Sequence, residues 1–262
     1  MVEFTKPPLE AYKRLSMRAS ILRMDDEDLE FIKEQSGIED PEALKKHIIA
    51  VQNKAYDVRL YGHVCIRRFS FTRPKISTFP MYEHVLDLGR KAGSFLILGV
   101  AVLGTDIRKC ASDGVPVQNL IASDLRPVFW DLGHELFKTT PKTFRVTFLS
   151  GDALDPNFLQ PSTPLPSSSS SLPHPRLRNS IHVSSLFHLF FEPQQLRLAR
   201  SLAGLSPAPG SVILGSHAER RRRVVARDVG GGFPAGTIEV KAELRRRRDG
   251  EEVFGLIWCG LL

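Results

Sequence analysis

The chain has 262 residues, 29.3 kDa, 42% hydrophobic and 25% charged residues, a net charge of +7 and a pI near 9.5. That is enough chain for one α/β domain with extensions and a full core, and the balance is that of a soluble globular protein. The apolar run from Phe95 to Val102 is far below the roughly 20 residues of a membrane span. The start, MVEFTKPPLEAYKRL, lacks the apolar stretch of a secretory signal. Cys65, Cys110 and Cys259 are odd in number and scattered, which argues against a disulfide framework or a zinc site and suits the reducing cytoplasm.

Residues 9–55 read as helical. LEAYKRLSMRASILRM has apolar residues at helical spacing, DDEDLEFIKEQSG starts acidic and stops at Gly37, and DPEALKKHIIAVQNKA places Asp40 as a cap before Pro41. Residues 58–80 are mixed and bounded by prolines, a connector expected to fold over the top of the sheet. An amphipathic helix over 81–93 ends at Gly93.

Strands are predicted near 95–99, 120–124 and 144–150, with helices near 105–113 and 127–138 between them. This alternation predicts a parallel sheet with Asp124 and Asp152 presented at the carboxyl ends of neighbouring strands. The Ser/Pro-rich stretch 160–179 cannot bury enough apolar surface to order itself and reads as a disordered surface insertion. Beyond it come a strand at 181–185, a helix at 193–205 and a strand at 211–217. Two β-type runs then flank Asp249-Gly250, a hairpin signal. The organisation is an N-terminal helical extension and connector over 1–80, then an α/β domain over 81–262. Its sheet is parallel and closed by a C-terminal antiparallel hairpin.

The chain has no G-x-x-x-x-G-K-[ST] loop, G-x-S-x-G elbow or H-E-x-x-H helix. Gly99 and Gly104 are five apart and do not complete G-x-G-x-x-G, so a dinucleotide has little support. A glycine turn after the first strand and an acid after each of the next two suit S-adenosylmethionine, which has a nucleoside and an amino acid but no phosphates. Asp124 can accept both ribose hydroxyls and Asp152 the adenine amino group; the plainer role for such acids is capping the next helix. The arginine runs 220–223 and 245–248 would serve a polyanion. Nearby acids and the lack of interleaved aromatics favour a solvated loop and hairpin end, so nucleic acid is not an expected partner.

The segments CIRRFSFTRPKISTFPMYEHVLDLGRKAG (65–93), DIRKCASDGVPVQNLIASDLRPVFWDLGHELF (106–137), FLSGDALDP (148–156), HVSSLFHLF (182–190) and PGSVILG (209–215) carry a likeness in collinear order. Through them the chain resembles the fungal S-adenosylmethionine-dependent methyltransferases of secondary metabolism, including those of meroterpenoid clusters. The resemblance covers roughly residues 60–215.

It implies the Rossmann-like class I methyltransferase fold and a homodimer. It also implies methyl transfer to an oxygen of a small polyketide–terpenoid intermediate, often a carboxylate giving a methyl ester. Carried over by position, Gly99 and Gly104 match the glycine loop, Asp124 and Leu125 the ribose site, and Asp152 and Ala153 the adenine site. Ser184 and Ser185 match the end of the fourth strand. His188 is the nearby candidate base, or else a helix-face histidine packed beside Phe187 and Phe190. Where the family has D-L-G in the first strand, this chain has Ile97-Leu98-Gly99, and the glycine spacing is one residue longer. Those changes open a second reading, a methyltransferase fold kept as an interaction partner.

Overall fold

Short β-rich runs buried on both faces build the centre of the molecule. In the computed structural model, which describes residues 22, 24–58, 64–91, 94–98, 103–158, 178–205, 211–219, 239–246 and 254–261, these runs form one seven-stranded sheet. The strands are β1 (Ser94–Leu98), β2 (Leu120–Asp124), β3 (Thr147–Ser150), β4 (Arg178–Val183), β5 (Val212–Glu219), β6 (Glu239–Arg246) and β7 (Phe254–Leu261). Their order is β3-β2-β1-β4-β5-β7-β6. Neighbours from β3 to β5 run parallel, and β7 inserts antiparallel between β5 and β6. The strand order reverses between β1 and β4, so both carboxyl ends border the crevice where open α/β sheets bind ligands. This is the class I methyltransferase sheet that the resemblance implies.

Helices cover both faces. The described ones are α1 (Asp26–Ser36), α2 (Pro41–Asp57), α3 (Val64–Arg67), α4 (Tyr82–Arg90), α5 (Thr105–Ser112), α6 (Pro127–Leu136) and α7 (Glu192–Leu205). On one face, Tyr82, Val85 and Leu86 of α4 and Ile107 and Cys110 of α5 pack on Ile97, Leu120, Ala122, Val212 and Leu214. On the other, Leu198, Leu202 and Leu205 of α7 pack on Ile121, Ile181, Val183 and Ile213. Leu120 and Ala122 thus face one way and Ile121 the other, the period-2 pattern of a strand.

The N-terminal helices have a cluster of their own. Phe31, Ile32, Leu44, Ile48 and Val51 meet Phe129, Leu132 and Leu136 of α6. Asp40 caps α2 by accepting the Ala43 N–H at 2.7 Å, with Pro41 in the first turn, as the sequence predicts. Gln52 Nε2 donates to the Ile66 carbonyl at 3.0 Å, and Arg73 pairs with Asp28 at 3.2 Å, fastening the connector to this layer.

Several boundaries differ from the sequence reading: α4 stops at Arg90 rather than Gly93, β4 ends at Val183 rather than near 185, and two strand starts move. β3 starts at Thr147, not near 144, because Thr140 to Phe144 close a turn and Phe144 lies against Trp130, with ring centroids 6.2 Å apart. β4 starts at Arg178, inside the expected insertion, because Arg178 pairs with Ser94 on the central strand. The expected first helix over 9–24 lies almost wholly outside the described residues, as do nearly all of the Ser/Pro stretch, the arginine run 220–223 and the hairpin turn.

Candidate functional site

The expected site residues fall at one edge of the sheet. Asp124 is the last residue of β2 and is 9% exposed. Its Oδ1 accepts the Arg126 N–H at 2.8 Å, and its carbonyl accepts the Gly151 N–H at 3.1 Å, tying the tips of β2 and β3 together. Asp152 lies just past β3, exposed, with Oδ1 accepting the Leu154 N–H at 2.8 Å. Each acid therefore closes a turn with a residue two positions on, while α6 shows no side-chain cap at Arg126. Leu125 is 55% exposed beside Asp124, an apolar surface at the same edge. Ala153 packs toward the α7 face.

Gly104 takes a φ of +73° as the residue before α5, following Leu103 at +55°. A side chain on Gly104 would meet Arg108 Nη1 at 2.7 Å and Trp130 at 2.9 Å, so helix packing fills the space its missing Cβ leaves. Gly133 does the same for α6, where a Cβ would lie 2.3 Å from the Leu103 carbonyl oxygen. Arg108, fully buried, donates to the Leu103 and Gly104 carbonyls at 3.4 and 3.3 Å and lies over Phe137 and Phe144 at 4.4 and 4.5 Å. Burial pushes its guanidinium down to about 9. Gly99 lies outside the described residues.

A second cluster surrounds Ser184 and Ser185, the residues expected at the end of the fourth strand, and adds His182, Asp106 and Lys75, which the sequence reading did not single out. Ser184 is buried, with Oγ 2.7 Å from His182 Nε2 and accepting the Ser216 N–H at 3.2 Å. His182 Nδ1 faces Asp106 Oδ2 at 3.7 Å, and neither atom has a hydrogen-bond partner among the described residues. Asp106 Oδ1 accepts the N–H groups of Lys75 and Ile76 at 2.6 and 3.0 Å. Lys75 Nζ donates to Ser185 Oγ at 2.9 Å, and Ser185 holds a φ of +57°. Burial holds the His182 imidazole below its ordinary range; Lys75 adds to this and Asp106 opposes it. A hint of this was in the sequence. Ser180, His182 and Ser184 alternate with Ile181 and Val183, and a polar face on a central strand marks a polar cluster beneath it. His188 sits in the 3₁₀ turn Phe187–Leu189, and its side chain is outside the described residues.

Among the described residues, no group of three His, Cys, Asp or Glu could hold a metal ion, and no helix is long and apolar enough to cross a membrane.

Residues 17–72 match the family model described as the meroterpenoid methyltransferase N-terminal domain. The chain is 34% identical to O-methyltransferase phiE of a Fungal sp. strain over 68% of this chain and 55% of that protein. It is 30% identical to methyltransferase adrK of Penicillium roqueforti, over 76% of this chain and 67% of that protein. The Asnovolin E/Chermesin D methyltransferase nvfJ of Aspergillus novofumigatus is 32% identical over 74% of this chain and 64% of its own length. The chain thus spans between about half and two thirds of the length of these relatives. The crystal structure of magnesium protoporphyrin IX methyltransferase from Synechocystis PCC 6803 aligns with 11% identity and a TM-score of 0.47, covering 89% of this chain and 90% of that one. The sheet order and the sequence matches, rather than that superposition, place the protein: the chain belongs to the fungal secondary-metabolite methyltransferases of the meroterpenoid type.

Proposed function

We propose that the protein transfers the methyl group of S-adenosylmethionine to an oxygen of a small polyketide–terpenoid intermediate. The observation that carries this reading is the pair of acids on joined strand tips, Asp124 ending β2 and Asp152 just past β3, the tips tied by the Gly151 N–H on the Asp124 backbone carbonyl. Two carboxylates side by side at the carboxyl edge suit the hydroxyl and amino donors of an adenosine and would repel a phosphate. The nucleoside half of the cofactor therefore fits. Asp124 would take the ribose, Leu125 would offer apolar surface to the purine, and Asp152 with Ala153 would line the adenine end. Gly99 and Gly104 would lie along the amino-acid half, with Ser184 across the crevice.

The cofactor, when bound, supplies an activated methyl on a sulfonium. What the chain adds is orientation, holding the acceptor oxygen in line with that methyl, and such positioning supplies much of a transfer's rate. A carboxylate acceptor, giving a methyl ester, is ionised near neutral pH and asks for no base. In that case His188 is dispensable; a hydroxyl acceptor would give it a role. We further read the chain as cytoplasmic and homodimeric, with 1–80 as a helical extension and 81–262 as the methyl-transfer domain.

One observation favours a second reading, an interaction partner that no longer transfers methyl groups. Ile97 replaces the first-strand acid and is buried among apolar side chains. Calorimetric titration with S-adenosylhomocysteine separates the two. Saturable binding supports the enzyme; no heat up to millimolar ligand leaves only the partner.

A further inference from the structure

We infer that Lys75 is a carboxylate-recognition residue, reaching from the connector to the tip of β4 beside the nucleoside site; the inference rests on the proposed methyl-donor reading. Its backbone is fixed, since its N–H and that of Ile76 both bind Asp106 Oδ1, at 2.6 and 3.0 Å. Its ammonium is aimed, since Nζ donates to Ser185 Oγ at 2.9 Å. Ser185 is itself fixed in the left-handed region, with its N–H on the Ser216 carbonyl at 2.6 Å.

Among the described residues this ammonium pairs with no acid. Asp106, the carboxylate nearest in the cluster, gives one oxygen to backbone N–H groups and turns the other toward His182. Among the described residues Lys75 Nζ meets only the neutral Ser185 hydroxyl. Lys75 is half-buried, and an ammonium with three donors and one neutral acceptor is under-compensated once water is excluded. An arriving carboxylate would complete it with a charge-assisted hydrogen bond.

The position narrows the source of that carboxylate. The tip of β4 borders the crevice where the strand order reverses, so it meets what extends beyond the adenosine. That is either the amino-acid end of the methyl donor or the acidic group of an acceptor.

Two nucleosides separate the sources. S-adenosylhomocysteine carries the amino-acid carboxylate, and 5′-methylthioadenosine is the same thioether without it. Both are titrated calorimetrically into the full chain and into Lys75→Met and Lys75→Arg, all checked for unchanged melting. If the carboxylate is the donor's, Lys75→Met weakens S-adenosylhomocysteine about tenfold or more and leaves methylthioadenosine alone, and Lys75→Arg restores most of the loss.

If it is the acceptor's, both nucleosides bind the variant normally. Farnesoic acid added to the S-adenosylhomocysteine complex then binds wild type but not Lys75→Met, while uncharged farnesol is indifferent to the change. Either result supports the role. Equal weakening of both nucleosides, or no effect in either arm, overturns it. A wild-type chain that binds neither nucleoside refutes the methyl-donor reading, and this inference with it. Normal wild-type binding without selectivity in Lys75→Met refutes the role of Lys75 alone.

Discussion

The two sides of the crevice are built differently. On the β2–β3 side, Asp124 and Asp152 each accept the N–H of a residue two positions along, both at 2.8 Å. On the β4 side, Asp106 is bound to Lys75 and Ile76 some thirty residues earlier, Ser184 to Ser216, and Lys75 to Ser185 across 110 residues. Local turns leave Asp152 exposed and hold Asp124, only 9% exposed, at the adjoining strand tip. Distant contacts make the second cluster a buried knot joining the connector, α5, β4 and β5, and it exists only once the whole chain has folded. One side is a receptor set on a scaffold; the other is part of the scaffold and carries Lys75 as its ligand-facing group.

The contrast breaks most visibly at Asp106. Asp106→Ala strands two backbone N–H groups in a buried place and removes the acid facing His182, so a loss of about 3–5 kcal/mol in chemical denaturation is expected. A loss below about 1 kcal/mol would mean that the knot does not hold the fold.

Acid should loosen the same side. Burial depresses the His182 imidazole, with Lys75 pushing the same way and Asp106 against; His134 is depressed by burial and Arg108, with Asp131 opposing. Below the unfolded value of about 6.5, the unfolded chain binds protons that the folded chain refuses. Stability is therefore full above that pH and falls below it, by at most about 1.4 kcal/mol per pH unit for each histidine. Melting curves at about pH 7.5 and pH 5.5 should separate, and His182→Gln should narrow the gap. Coincident curves for the wild type would contradict this.

The acid pair sharpens the contrast from the other end. Asp124→Ala should cost under about 1 kcal/mol of stability, and Asp152→Ala, at an exposed turn, less still. A destabilisation at Asp152 matching that at Asp106 would erase the distinction.

The same division decides what the sequence disclosed. The alternation around β1, β2 and β3, the Asp40-Pro41 cap and the positions of Asp124 and Asp152 depend on periodicity and near neighbours, and all were readable. The edges of β3 and β4 shifted because Phe144 is drawn against Trp130 and Arg178 is drawn to Ser94, partners that no local pattern names. Gly104 illustrates a subtler loss. Its glycine was visible, but the side chains of Arg108 and Trp130 that occupy its open face were not. The Asp106–His182–Ser184 cluster joins residues from separate elements; the resemblance pointed to Ser184, but its partners Asp106 and His182 lie beyond any local pattern.

Methyl-donor binding depends on the acid of β2 holding the donor's sugar. S-adenosylhomocysteine titrated by calorimetry into wild type and Asp124→Ala, with folding of both confirmed by melting, tests this directly. Affinity should fall by about 10- to 100-fold, the worth of a charge-assisted hydrogen bond. Equal affinity in the two proteins would contradict it.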